Sequence, residues 1–169
     1  MRVKQNELLP YIQDALYFEE NPINSAIEYK EDMVFALNFG DEIQLADMNI
    51  NLDARPYDMQ KAYHPHGNVI YVNACGMQNM DHSVMLMEGG SCVLRNGKCL
   101  YQAPYFQEDY ALVDLASQKE DKAKPRSLLA ALTMGIQQFD AQVFAGKLPW
   151  IVGMSGGLDS SVTAALLVY

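Results

Sequence analysis

Seven consecutive residues, Ser155-Gly156-Gly157-Leu158-Asp159-Ser160-Ser161, combine the types that hold a phosphate group. Gly156 and Gly157 remove side chains, so an anion can approach the backbone. Ser155, Ser160 and Ser161 add hydroxyl donors, and Gly153 precedes them with one more small residue. Asp159 repels a bare phosphate; its place in the loop points to a metal ion nearby or to a helix-capping role. Such a loop works only if flanking elements aim it. The apolar run Trp150–Val152 predicts a strand leading in, and Val162–Val168 predicts a helix leading out. Strand, glycine loop and helix together direct unpaired backbone N–H groups and the positive helix end at one point. The Gly-Lys-Ser/Thr ending of a Walker A loop is absent. A Ser/Gly turn that merely caps a buried helix is the plain alternative, and it requires far fewer matching positions.

Other reactive residues carry weaker signals. Cys75, Cys92 and Cys99 contain no Cys-x-x-Cys pair, so neither a disulfide framework nor a tetrahedral zinc site follows. All three fall in expected strands or hairpins, where a buried structural thiol is the simplest reading. His64-Pro65-His66 lacks a third ligand at useful spacing and reads as a surface turn. The ten methionines, Met77, Met80, Met85 and Met87 among them, suit an irregular core or interface.

The rest of the chain supplies the frame. Half of its 169 residues are apolar and 20% are charged, an ordinary globular composition. Its formal charge is −9 with no basic cluster, which disfavours nucleic acid and anionic membrane surfaces as partners. The one long apolar tract, Leu148–Tyr169, is interrupted by the Ser/Gly/Asp cluster and does not suit a bilayer span. No signal-peptide core follows Met1, so a reduced, soluble, cytoplasmic protein is the expectation. Strands are expected at Met33–Asn38, Asp47–Asn51, Asn68–Asn73, Ser83–Met87 and Ser91–Leu94. Asn96-Gly97 predicts a two-residue hairpin turn joining Cys92–Arg95 to Lys98–Tyr101. The polar, charged stretch Ala116–Arg126 reads as an exposed linker. Leu128, Leu129, Leu132, Ile136, Phe139 and Phe144 recur at helical spacing, giving an amphipathic helix over Ser127–Phe144 with Ser127 as N-cap and Gly146 closing it.

The loop resembles the pyrophosphate loop, Ser-Gly-Gly-x-Asp-Ser, of the ATP pyrophosphatases that adenylate a carboxyl or carbonyl group. The upstream residues resemble the later half of a nitrilase-type glutamine amidohydrolase, the domain that precedes the synthetase in glutamine-dependent NAD synthetases. Asn49-Ile-Asn-Leu-Asp-Ala-Arg-Pro-Tyr57 with Lys61 is similar to that family's strand ending in Ala-Ser-Pro-Tyr with a basic residue soon after. Tyr71-Val-Asn73, Gly76, Gln78, Asn79 and Gly89-Gly90-Ser91 resemble its Tyr-Val-Asn, Gly-x-Gln and Asp-Gly-x-Ser stretch. The hairpin at Asn96-Gly97 and the helix before the loop follow in the family's order.

The resemblance implies an α/β protein. Residues 1–122 would be part of a nitrilase-type α-β-β-α sandwich, the glutaminase domain. Residues 123–169 would be the first elements of a Rossmann-like ATP pyrophosphatase domain, carrying Gly153, Ser155, Gly156, Gly157, Leu158, Asp159, Ser160 and Ser161 as its ATP-binding set. On this reading the chain is a partial copy, with apolar residues around the loop incompletely covered. The implied reaction adenylates nicotinic acid adenine dinucleotide with ATP and Mg2+, and ammonia, normally from glutamine, then displaces AMP to give NAD+. The implied partners are these small molecules, with a homo-oligomer for the complete enzyme. The glutaminase residues depart from the pattern. Lys4 would be the catalytic Lys and Tyr11 a glutamine contact, although the spacing after Pro10 is several residues short. Lys61 keeps the basic glutamine-contacting position, whereas Arg55 stands where the family has Ser. The strand expected to carry the nucleophilic Cys, Ala36-Leu-Asn-Phe-Gly-Asp-Glu-Ile43, contains none. A non-catalytic nitrilase-like remnant, or another pyrophosphate-loop amidotransferase, is the alternative. A GMP synthetase would need a Gly-x-Cys-x-Gly elbow, which the sequence lacks.

Overall fold

A computed structural model describes residues 26–28, 33–40, 43–80 and 83–168. Lys4 and Tyr11 lie outside the described residues.

A mixed six-stranded sheet forms the body of the chain. In chain order its strands are β1 (Ala26–Glu28), β2 (Val34–Phe39), β3 (Met48–Asp53), β4 (Val69–Asn73), β7 (Cys92–Arg95) and β8 (Lys98–Gln102). They lie side by side in that order. β2, β3 and β4 run parallel, while β1, β7 and β8 join antiparallel. A second, two-stranded sheet pairs β5 (Cys75–Met80) with β6 (Ser83–Glu88).

The register sorts the six-stranded sheet into two unlike faces, because successive side chains alternate. One face carries Ala36, Asn38, Asn49, Asn51, Val69, Tyr71, Asn73 and Cys92, all buried. Three of these asparagines form a closed network. Asn38 Nδ2 donates to Asn49 Oδ1 at 2.8 Å and to Asn51 Oδ1 at 3.1 Å. Gln44 donates to Asn38 Oδ1 and, through its backbone N–H, to Asn49 Oδ1. Asn51 closes the ring onto the Gly40 carbonyl. Buried amides are tolerated when paired in this way. The opposite face carries Ile50, Ile70, Val72 and Val93, and Met48 beside Phe35 is fully buried there.

The expected hairpin forms: β7 and β8 pair across Asn96 (φ 51°) and Gly97 (φ 73°), the two left-handed positions of a type I′ turn. All five expected strands are present within a residue or two of their bounds. β1 and β5 escaped the sequence reading. β5 did so because Cys-Gly-Met-Gln-Asn-Met has no β-branched residue and Gly76 reads as a stop. The helix expected over Ser127–Phe144 is present in two parts. The α-helix α1 (Leu128–Phe139) begins at the Ser127 cap, whose side chain accepts from Ala130 N–H at 3.4 Å. A five-residue π turn, Asp140–Phe144, follows and ends at Ala145 (φ 53°). α1 buries Ala131 and Met134 against Phe106, Tyr57, Leu86 and Tyr105, so it packs on the β5–β6 side of the body.

Two expectations at the far end need correction. Trp150–Val152 does not form a strand. A strand exists by virtue of a ladder, and no described strand lies beside this run to pair with it. The second helix, α2 (Leu158–Val168), starts four residues earlier than Val162. Leu158, Asp159, Ser160 and Ser161 are therefore the first turn of the helix rather than loop.

Candidate functional site: a glycine–serine loop at a helix N-terminus

The structure gathers the residues singled out as a phosphate loop into one exposed bend. Ser155 Oγ lies 3.2 Å from Ser160 Oγ and accepts the Gly157 N–H at 3.3 Å. The Gly157 carbonyl accepts from Ser160 Oγ at 3.1 Å, Ser161 Oγ at 2.9 Å and Ser161 N–H at 3.3 Å. One carbonyl thus closes the bend onto the first turn of α2. Thr163 Oγ1 donates to the Asp159 carbonyl at 2.9 Å and tightens the next turn. The amides of Leu158, Asp159 and Ser160 fall in the first helical turn, where no intrahelical acceptor exists.

Space at the loop matches the chemistry. Gly156 has φ +80°, a conformation that L side chains rarely adopt, and a Cβ there would meet nothing within 4 Å. A Cβ on Gly153 would likewise face open space, whereas one on Gly157 would touch Ser155 Oγ at 3.4 Å. The bend is open to solvent. Asp159 is the one acidic residue in the first turn of α2 and is exposed. It sits inside the helix, not at its cap, so the capping role considered for it does not apply. Among the described residues no group of three or more His, Cys, Asp or Glu could hold a metal ion. The donor set fits Mg2+ of the kind carried by nucleotide phosphates and met by a single carboxylate. It does not fit a protein-built cage.

Aromatic rings pack together just ahead of the loop. Phe139, Phe144 and Trp150 form a triangle with centroids 5.7, 6.4 and 6.0 Å apart. Around them the surface is apolar: Ile151 is 92% exposed and Leu158 78%, in line with the expected incomplete cover.

The other candidate residues are not gathered there. Lys61 is exposed in the turn opened by Asp58, its N–H donating to Asp58 Oδ1 at 3.3 Å. Arg55 is absorbed at the carboxyl end of β3. Its Nε contacts Asp53 Oδ2 at 3.0 Å and its guanidinium stacks 4.1 Å above the Tyr63 ring. Tyr71 donates its hydroxyl to the same Asp53 oxygen at 3.0 Å. Burial, reinforced by the Asp53 charge, pushes the Tyr71 phenol well above its ordinary value. His64 and His66 are both exposed.

Burial disfavours the thiolate at all three cysteines. Burial pushes the Cys92 thiol up to about 12, and it raises Cys75 and Cys99 as well. A raised thiol is a poor nucleophile at neutral pH. Cys75 packs against the Phe106 cluster, as a structural thiol should.

Arg126 is the residue that sequence reasoning missed, hidden in what reads as a charged linker. Its Nε pairs with buried Glu88 at 2.5 Å, its guanidinium lies 4.5 Å over Tyr57, and it donates to the carbonyls of Asp58 and Lys61. Its place immediately before the Ser127 cap was the available signal.

A sheet body followed by helix, glycine–serine loop and helix defines a mixed α/β protein. No helix among the described residues is long and apolar enough to cross a membrane. No family model matches the sequence, and no curated protein matches it. Among solved structures, the same fold occurs in glutamine-dependent NAD+ synthetase from Acinetobacter baumannii, in complex with adenosine diphosphate. The TM-score is 0.68 at 24% identity, and the match takes in 95% of this chain but 36% of that one. At that identity the likeness establishes the fold.

Proposed function

We propose that this chain carries part of a glutamine-dependent NAD+ synthetase and that the Ser155–Ser161 loop receives the pyrophosphate portion of Mg·ATP. The match over 95% of the chain carries the reading. It is supported by the open, left-handed Gly156 and by the hydroxyls that ring it. That the synthetase neighbour is complexed with adenosine diphosphate agrees with a nucleotide here.

Residues 1–122 are then part of a nitrilase-type α-β-β-α glutaminase domain, and residues 123–169 open a Rossmann-like ATP pyrophosphatase domain. The activity is that of a carbon–nitrogen ligase, amidating nicotinic acid adenine dinucleotide through an adenylated intermediate with glutamine or ammonia as nitrogen source. Lys4 would serve in catalysis, and Tyr11 and Lys61 in binding glutamine. The complete enzyme would work as a cytoplasmic homo-oligomer on small molecules.

Each loop residue has a distinct task in this reading. Gly153, Gly156 and Gly157 let the phosphate oxygens reach backbone amides, and the first-turn amides of Leu158, Asp159 and Ser160 donate to them. Ser155, Ser160 and Ser161 present hydroxyls at the rim. Asp159 would hold the Mg2+, which when bound neutralises charge on the phosphates. The glutaminase half lacks its nucleophile: Asn38, buried and hydrogen-bonded, occupies the strand expected to carry Cys. On this reading the residues of this chain alone would release no ammonia from glutamine, and ammonia would come from elsewhere.

Titration calorimetry with Mg·ATP tests the loop assignment. Saturable binding that Gly156→Val and Asp159→Ala both weaken, at unchanged helix content, is the expected result. Equal binding by both variants would remove the assignment.

A further inference from the structure

We infer that Gln138 and Gln142 are positioning residues that fix the phosphate loop by clamping the outer edge of β5; the inference rests on the loop reading above. Gln138 Oε1 accepts the Met77 N–H. Gln142 Nε2 donates to the Met77 carbonyl at 3.2 Å. The two amides therefore satisfy both backbone groups of one residue on β5, completing by side chains a ladder that no further strand completes among the described residues.

The clamp is built for close approach. A Cβ on Gly76 would lie 2.9 Å from Gln138 Oε1, and Gly76 has φ +118°, so glycine is required where the amide comes in. Gln138 and Gln142 are four residues apart and reach the same strand residue across the point where α1 widens into the π turn. Such widened turns occur frequently at functional sites.

The same short segment also holds the residue that leads into the loop. Phe139, adjacent to Gln138, and Phe144, two residues past Gln142, hold the Trp150 ring at 6.4 and 6.0 Å. Trp150 is three residues before Gly153, and it is the single tryptophan of the chain. Position thus passes from the β5 backbone through the two glutamines to the aromatic triangle and on to the loop. Without the clamp, α1 still packs through Ala131 and Met134, but the π turn and its rings lose their fixed reference.

Trp150 supplies a reporter that needs no ligand. In Gln138→Leu, acrylamide quenching of Trp150 should rise and the Met77 amide should exchange faster, while Gln138→Glu, which keeps the acceptor oxygen, should restore both. Mg·ATP affinity should fall about 3- to 10-fold in Gln138→Leu, the range expected for one lost hydrogen bond, and recover in Gln138→Glu. Gln142→Ala, which leaves the Met77 carbonyl open to water, provides a milder variant that stays folded by circular dichroism. It should shift Trp150 quenching in the same direction. Faster Met77 exchange with Trp150 quenching unchanged in both variants would overturn the positioning role. Absence of Mg·ATP binding to the unmodified protein would instead overturn the phosphate-loop reading, and the quenching data would still decide the clamp.

Discussion

The sheet body and the glycine–serine loop treat polar groups in opposite ways. In the body, Asn38, Asn49, Asn51 and Gln44 donate and accept among themselves until little is left over, and all three asparagines are 3% exposed or less. At the loop, the serine hydroxyls bond within the bend, while the first-turn amides have no intrahelical acceptor and Gly156 meets nothing within 4 Å. The first arrangement suits a rigid frame, because an unpaired buried amide is costly. The second leaves donors for a group that comes from outside. What distinguishes a site from a scaffold in this molecule is therefore unspent hydrogen-bonding capacity and open space, and the residue types are similar in both.

Stability measurements sharpen that contrast, and the largest effect should fall in the body. Glu88→Ala strands the Arg126 guanidinium, 15% exposed, beside Tyr57, and should cost about 3–5 kcal/mol, read from urea unfolding. Met48→Ala, at a fully buried position, should cost about 2–5 kcal/mol by the same measurement. Ser127→Ala removes the cap of α1 and should cost about 0.5–2 kcal/mol. At the other extreme, Ile151→Ser should change stability by no more than about 0.5 kcal/mol, since its side chain is already in water. A loss at Ile151 comparable with that at Met48 would erase the distinction between the two regions.

A pH series probes the body from another direction. Burial pushes the Cys92 thiol from its ordinary value of 9.0 up to about 12 in the native state. A thiol whose pKa is raised on folding contributes stability in full below the lower value. The contribution declines as pH rises from 9 towards 12, because the unfolded state then sheds the proton more readily. Unfolding followed between pH 7 and 11 should show this decline, and Cys92→Ala should lessen it, the remainder coming from Tyr71, Cys75 and Cys99, which burial also raises. Iodoacetamide at pH 8 should leave Cys92 unmodified in the native protein.

How much of this was legible in the sequence follows from the range of the interactions. Asn96-Gly97 announced its turn because the left-handed conformation is a property of those two residues alone. Ser127 announced the start of α1 for the same reason, its bond reaching only three residues along. Trp150–Val152 has the composition of a strand, yet composition does not supply the neighbour that a strand needs. β5 was the reverse case, weak in composition and made by its six-residue pairing with β6. Arg126 lay in a run of charges, and only the fold brings Glu88, 38 positions earlier, against it. At the candidate site the identity of the loop was readable, while the start of α2 at Leu158, which turns Asp159 from cap to first-turn residue, was not.

The central claim is that a phosphate group lodges against the backbone of the bend before α2. The most direct measurement is an amide-resolved NMR titration of the isotope-labelled protein with magnesium pyrophosphate. The account predicts saturable shifts at Gly153, Gly156, Gly157 and the first-turn amides Leu158, Asp159 and Ser160, absent in Gly156→Val, with the Asn38–Asn49–Asn51 network unmoved. Shifts confined to the sheet body, or none at the loop when it is saturated with the probe, would contradict it.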